Sequence, residues 1–418
     1  MKNNLIILTA VIFFASCSLF QVDPPGTLVK SSLSRKSAPV YSQEEFSSLV
    51  SGNTRFSLDF YRNIQNSDKN LFYSPYSISL ALAMTYAGSK NQTESQISNA
   101  LCFYKPQNVL HNTFNALDRK IMGNTNTGFT LNLVNAAWGQ DKYPFQQTYL
   151  DVLALNYGAG MMSVDFSDNP DGIRENINSW VSRQTANKIP ALFPSGSITA
   201  STRLVLVNAI YFLADWKTPF KKEDTQNGDF YSFGNVKTTV SMMNLSGPFK
   251  VTEQSNGYQA IELPYKGDKI SMLIIMPADQ NESQFHEFES NYLAVDKINA
   301  IISNLTNKTI QLSMPKFKFE WGNSLVNTLS AMGMPDAFSG NADFSGIDGT
   351  KDLVISDIIH KAYIAVDEKG TEAAAATGVV FKLTSFLADF MNINRPFIFF
   401  IRDLDSGTIL FAGRVVKP

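Results

Sequence analysis

The chain has little of what most protein chemistry requires. Its 418 residues include two cysteines, Cys17 and Cys102, and three histidines, His111, His286 and His360. Two cysteines exclude a disulfide framework and a cysteine-based zinc site. There is no Gly-x-Ser-x-Gly elbow, so the common hydrolase signature is missing, and no phosphate-cradling glycine loop or Rossmann fingerprint occurs. His286 precedes Glu287 but has no second histidine at the spacing of a helical zinc motif. An excess of either charge is also lacking. Lys and Arg number 35 against 37 Asp and Glu, which points neither to a nucleic-acid surface nor to an acidic tail. Internal repeats and an alternating βαβ pattern are absent as well.

A hydrophobic content of 44% is enough for one large core or two ordinary ones. At the start, Met1 and Lys2 precede the apolar run Leu5 to Phe14, too short to span a bilayer, and then the small residues Ala15 and Ser16. Residues 1–16 read as a signal peptide. The ending Phe14-Ala15-Ser16-Cys17 resembles a bacterial lipoprotein cleavage site, although Phe14 stands where that pattern has Leu, Val or Ile. Lipid on Cys17 would anchor the protein to a bacterial membrane, at the outer membrane or cell surface. Ordinary secretion with an incidental cysteine is the alternative. Residues 17–40 carry Pro24, Pro25, Gly26, Pro39 and several serines without periodicity and read as a flexible tether.

The body of the chain begins with helical patterns. Phe46, Leu49, Phe56 and Phe60 suggest a first amphipathic helix. Ser74 as cap, Pro75 at the first helical position and Gly88 as a stop predict a helix buried on most sides. Thr93 to Gln96 reads as a capping box for the next helix, on which Cys102 is expected as an inert core residue. Ile173, Ile177, Trp180 and Val181 mark a helix that stops before Pro190.

Strands dominate later. RLVLVNAIYFLADW is apolar except for Asn208 and suits a central strand covered on both faces. A buried amide left without partners costs about 1–3 kcal/mol, so Asn208 requires a named partner. In TIQLSMPKFKFEW the apolar parity flips at Pro315, which predicts a bend there. Phe397 to Arg402 and Thr408 to Val415 form an expected hairpin. Helices first and strands later give the class α+β.

One stretch is unlike the rest. From Glu368 to Ser385 the sequence is EKGTEAAAATGVVFKLTS, with nothing large before Val379. Pattern alone leaves three readings open: a short exposed helix capped at Thr371 and stopped at Gly378, a strand able to slide between other strands, or a linker. As a strand, Thr371, Ala373, Ala375 and Thr377 would share one face, and Glu372, Ala374, Ala376 and Gly378 the other.

The flanks weigh on that choice. LVISDIIHKAYIAVD before this stretch and NRPFIFFIRDLDSGTILFAGRVVKP after it closely resemble the hinge and C-terminal strands of the serpins, with the reactive loop between them. Asn70 to Leu101 resembles the family's buried helix and the helix that follows. The likeness covers roughly residues 41–418, expected as one serpin domain. It implies three β-sheets and about eight or nine helices, with the reactive loop exposed on a metastable body.

The family's functional positions carry over residue by residue. Ser74, Ser77, Asn208 and His360 match its shutter, and Trp216 its breach. Glu368, Gly370, Thr371, Glu372, Ala373, Ala374, Ala375, Ala376 and Thr377 match its hinge. Spacing from Glu368 puts the attacked carbonyl on Thr384, giving Thr384-Ser385, whereas counting back from Arg395-Pro396-Phe397 gives Ser385. Lys382 is an alternate attacked residue that suits a trypsin-like protease. Threonine suits elastase-like proteases, and cysteine proteases are also considered.

The implied activity is inhibition of a serine protease by a suicide-substrate trap. It needs no cofactor and is not enzymatic, and the expected state is a monomer that does not bind nucleic acid. Two rivals stand beside it: a non-inhibitory serpin acting as a binding protein, and a lipid-anchored hydrolase.

Overall fold

The computed structural model describes residues 24–65, 68–123, 129–252, 257–278, 281–371 and 389–418. Among them are ten α-helical segments: α1 (Gln43–Ile64), α2 (Pro75–Tyr86), α3 (Asn91–Ala100), α4 (Gln107–Gly123), α5 (Gln147–Tyr157), α6 (Pro170–Gln184), α7 (Glu282–Tyr292), α8 (Val295–Ser303), α9 (Val326–Ala331) and α10 (Ser345–Asp348). The last two have only 6 and 4 residues. The strands are β1 (Thr27–Val29), β2 (Leu71–Tyr73), β3 (Phe129–Gln140), β4 (Met161–Val164), β5 (Leu204–Asp215), β6 (Gln226–Ser232), β7 (Val236–Val251) and β8 (Tyr258–Pro264). They continue as β9 (Ile270–Pro277), β10 (Thr306–Pro315), β11 (Phe317–Ser324), β12 (Asp357–Val366), β13 (Gly370–Thr371), β14 (Asp389–Asn392), β15 (Phe397–Asp403) and β16 (Ile409–Val415).

A seven-stranded sheet runs β1-β4-β3-β5-β13-β12-β11. A nine-stranded ladder runs β14-β10-β7-β8-β9-β15-β16-β2, with β6 on β7. The 16-residue β7 serves two layers: residues 236–242 pair with β6, and Lys250 and Val251 pair with β8. Taken at that strand, the ladder divides into two sheets, and the α+β class with three sheets follows.

The parity flip at Pro315 has a simple cause. The chain leaves one sheet at the end of β10 and enters another at the start of β11, with Lys316 between them. Each strand then turns its own apolar set inward.

β5 is buried almost throughout. Its even residues Leu206, Ile210 and Phe212 enter the main core, and Val205, Val207 and Ala209 pack under α6 with Ile177 and Trp180. Beneath the sheet, α2 starts at Pro75 with Ser74 Oγ accepting from the Ser77 amide, and nearly all of its residues are buried. The capping box expected at Thr93 does not form. α3 begins two residues earlier, at Asn91, and the Thr93 hydroxyl accepts from the Asp343 amide instead. Cys102 lies just past α3, in a turn with φ of 56°, and burial raises its thiol pKa.

The tether expected over residues 17–40 is corrected in its described part. Thr27–Val29 pairs antiparallel with β4, Trp138 Nε1 donates to the Pro25 carbonyl at 3.0 Å, and Ser31 is buried. Arg35 reaches Asp118 at 2.7 Å and Asn115 at 2.8 Å. Lack of periodicity signalled a flexible linker, but a three-residue edge strand is too short to show any. The leader and Cys17 lie outside the described residues.

Candidate functional site: a sheet with a wedge at one end

β5 and β12 run side by side in parallel from Val205 and Asp357 to Tyr211 and Tyr363, seven cross-strand pairs in all. Beyond that point they part, and β13 fills the gap. Thr371 pairs with Ala214 on one side and Val366 on the other, and Gly370 pairs with Asp215. The sheet is therefore zipped along most of its length and wedged at one end by the first two residues of the small-residue stretch.

Each group around the wedge has a definite role. The Trp216 amide donates to the Lys369 carbonyl at 2.7 Å and its indole Nε1 to the Asp367 carbonyl at 3.0 Å. Its ring stacks on Tyr265 with centroids 4.5 Å apart and planes 9° from parallel. Tyr265 and Thr371 hydroxyls lie 2.7 Å apart, and Thr371 is buried. Gly370 is demanded by close approach, since a Cβ there would sit 2.0 Å from the Ala214 carbonyl oxygen. Glu368 accepts from Lys316 Nζ at 2.9 Å and from the Thr225 hydroxyl at 2.9 Å. Burial works to raise the Glu368 pKa, but the hydrogen bonds from Lys316 and Thr225 outweigh it and the net direction is downward.

The second cluster sits lower on the same strand. Asn208 Nδ2 donates to Ser77 Oγ and to Asn135 Oδ1, both at 2.5 Å. Its Oδ1 pairs with His360 Nδ1. His360 Nε2 accepts from the Ser74 amide at 3.1 Å, so Nδ1 carries the proton and donates. Ser74 Oγ in turn donates to the Leu410 carbonyl at 2.7 Å. Burial pushes the His360 imidazole down to about 3, so it stays neutral and acts as a two-sided connector. The network joins β5, β12, α2 and β16 where β5 and β12 are still paired.

Ser74, Ser77, Asn208 and His360 are thus brought together, and Trp216 is placed with Glu368, Gly370 and Thr371 at the other end of β5. Glu372, Ala373, Ala374, Ala375, Ala376, Thr377, Lys382, Thr384 and Ser385 lie outside the described residues. Sequence reasoning missed Asn135, Tyr265, Thr225 and Lys316. Asn135 was within reach, because it interrupts the apolar run LNLVNAAW as Asn208 interrupts its own strand. Nothing local marks the other three.

Thr371 faces the core side, opposite Ala214 and Val366. Continued in register, the alternation would turn residues 373, 375 and 377 to the core and Glu372 toward the α6 side.

Comparison with known proteins identifies the fold. The family model described as Serpin (serine protease inhibitor) matches residues 51–418. The chain is a serpin. It is 38% identical to a leukocyte elastase inhibitor of Xenopus tropicalis, over 88% of this chain and 99% of that protein. An uncharacterized serpin-like protein of Thermococcus kodakarensis is 33% identical over 100% of this chain and 99% of its own. Among solved structures, the thermophilic serpin tengpin in its native state matches with a TM-score of 0.80 and 28% identity, covering 93% of this serpin and 98% of that chain.

Proposed function

We infer that this serpin inhibits serine proteases as a suicide substrate. The observation that carries the reading is the wedge: Gly370 and Thr371 already occupy strand positions between β5 and β12, and apart from Glu372 only small residues follow up to Gly378. A protease that attacks the loop becomes acylated through an ester to its serine. The freed segment then continues the strand that Thr371 has begun, which requires the seven β5–β12 pairs to separate. The tethered protease is carried along and its active site distorted before water can cleave the ester. Insertion competes with deacylation, and each 1.36 kcal/mol added to the insertion barrier slows it about tenfold. Methyl and hydroxyl side chains keep that barrier low.

The attacked bond is Thr384-Ser385 in this reading, with Ser385 or Lys382 as the alternative attacked residue. Threonine there suits elastase-like proteases, in keeping with the elastase inhibitors among the relatives. Residues 1–16 act as an export signal and Cys17 carries the lipid that holds the serpin at a bacterial membrane. Metabolic labelling with a lipid analogue tests this, since label retained by a Cys17→Ser chain rejects the assignment.

The deciding experiment is incubation with a panel of serine and cysteine proteases, followed by a denaturing gel and mass spectrometry of the released C-terminal fragment. An SDS-stable complex with an elastase-like enzyme and a fragment starting at Ser385 are expected. Cleavage without any complex across the panel overturns the inhibitory reading, and a different first residue moves the bond.

A further inference from the structure

Away from the sheet, His286 on α7 stands in an unusual setting. Its Nδ1 lies 2.7 Å from Glu289 Oε2, one turn further along the helix. Glu289 is fully buried, and its Oε1 accepts from Arg414 at 2.8 Å and from the Tyr61 hydroxyl at 2.5 Å. A carboxylate held by a buried guanidinium only accepts, so Nδ1 must be the donor. The other nitrogen, Nε2, is then turned outward toward two more carboxylates. Asp68 Oδ1 is 3.5 Å away and Glu282 Oε1 is 4.0 Å away. All three ligand atoms lie within 4.8 Å of one another. The Nε2 position and two anionic oxygens converge on one point, a setting that favours positive charge there, supplied by a proton or by a metal ion.

We propose that Asp68, Glu282 and His286 form a binding site for a zinc-class divalent cation that bridges the loop after α1 to α7. Ligand atoms about 2.0–2.2 Å from a tetrahedral ion stand about 3.3–3.6 Å from each other, so closing the site takes side-chain shifts of up to about an ångström. One nitrogen and two oxygens favour zinc over calcium or magnesium, which prefer all-oxygen shells. Glu289 supplies the support that metal-binding histidines use, a carboxylate on the far ring nitrogen that fixes the tautomer and the ring plane.

A second observation shows that the two halves of the site are held together from within. Arg414, which binds Glu289 beneath the histidine, also donates to the Lys69 carbonyl at 3.1 Å, next to Asp68. One buried guanidinium therefore fixes both the loop and the helix that supply the ligands. Phe285 and Phe233 pack around the His286 ring at 6.3 and 5.7 Å. The site lies apart from the wedge and the Asn208 network, so its test is independent of protease inhibition. His286 is also the accessible histidine of the three, since His111 and His360 are buried.

The experiment is a calorimetric titration of the full chain with ZnCl2 at neutral pH, with Cys17→Ser in every arm to remove that thiol. One saturable site is expected, together with a rise of about 2–4 °C in the unfolding midpoint at a hundredfold excess over Kd. Glu282→Gln and Asp68→Asn should each weaken binding at least about tenfold, and His286→Ala should abolish it. MgCl2 should give no saturable heat. If His286→Ala does not fold, the two carboxylate variants decide, because Asp68 is exposed and Glu282 only partly buried. Zinc binding that is absent from the parent chain, or unchanged in both carboxylate variants, overturns the proposal, and equal binding of magnesium overturns the zinc class.

Discussion

The hydroxyl of Tyr265 lies 2.7 Å from that of Thr371, in a buried position where the same tyrosine stacks on Trp216. One hydrogen bond thus connects the first inserted residue to the aromatic pair at the mouth of the sheet. Tyr265→Phe removes it, leaves the threonine hydroxyl buried and unpaired, and costs the wedged state about 1 kcal/mol. The hinge should then leave the sheet more often, and limited proteolysis between residues 368 and 372 should speed up about fivefold. An unchanged rate would show that the bond does not hold the wedge.

Gly370 gives a sharper version of the same test. Its missing Cβ makes room for the Ala214 carbonyl, and backbone does not move aside cheaply. Gly370→Ala should expel β13 from the sheet and change Trp216 fluorescence, because the indole Nε1 donates to the Asp367 carbonyl at the base of that strand. A variant with parent-like fluorescence and proteolysis contradicts the packing described here.

Thr371→Arg addresses inhibition itself. A long cation would have to enter the core side between Ala214 and Val366, at a cost of several kcal/mol without a partner. The protease should then win the race, with the SDS-stable fraction falling to about a tenth or less and cleaved serpin accumulating. Full complex yield would falsify the facing assigned to Thr371.

Acid should weaken this fold in a defined window. Burial holds His360 and His111 at about 3 in the folded chain, against about 6.5 when unfolded. The unfolded chain binds the extra protons, so the stability these groups contribute is complete above pH 6.5 and is lost as pH falls toward 3. Each contributes a slope of at most about 1.4 kcal/mol per pH unit. Denaturation followed from pH 7 to pH 4.5 should show this loss, and His360→Gln should remove about half of it. A variant slope equal to the parent's would mean that His360 does not titrate on unfolding.

Much of the site was readable because it depends on polarity in the wrong place. Asn208 and His360 stand out as polar residues in apolar strands, and the alanine run stands out by what it lacks. The hinge glycine could be located but not explained, since the clash with Ala214 arises only when β5 is alongside. Tyr265, Lys316 and Thr225 were invisible for the same reason. They sit 106, 52 and 143 positions from their partners, and no local pattern encodes such distances. Likewise His286 was dismissed for want of a second histidine nearby, when its neighbours include a carboxylate from the loop after α1.

The strand Thr27–Val29 has a consequence for molecules in company. A sheet prepared to admit a segment through its middle would be hazardous if its border were equally receptive, because unpaired backbone recruits strangers. Here β1 occupies the backbone of β4, and the rim that remains is three residues long and preceded by Pro24 and Pro25, the second of which lends its carbonyl to Trp138. Prolines bring no amide hydrogen to such a margin. The sheet is therefore sealed at this side, which under the proposed mechanism leaves the seam between β5 and β12 as the place for insertion.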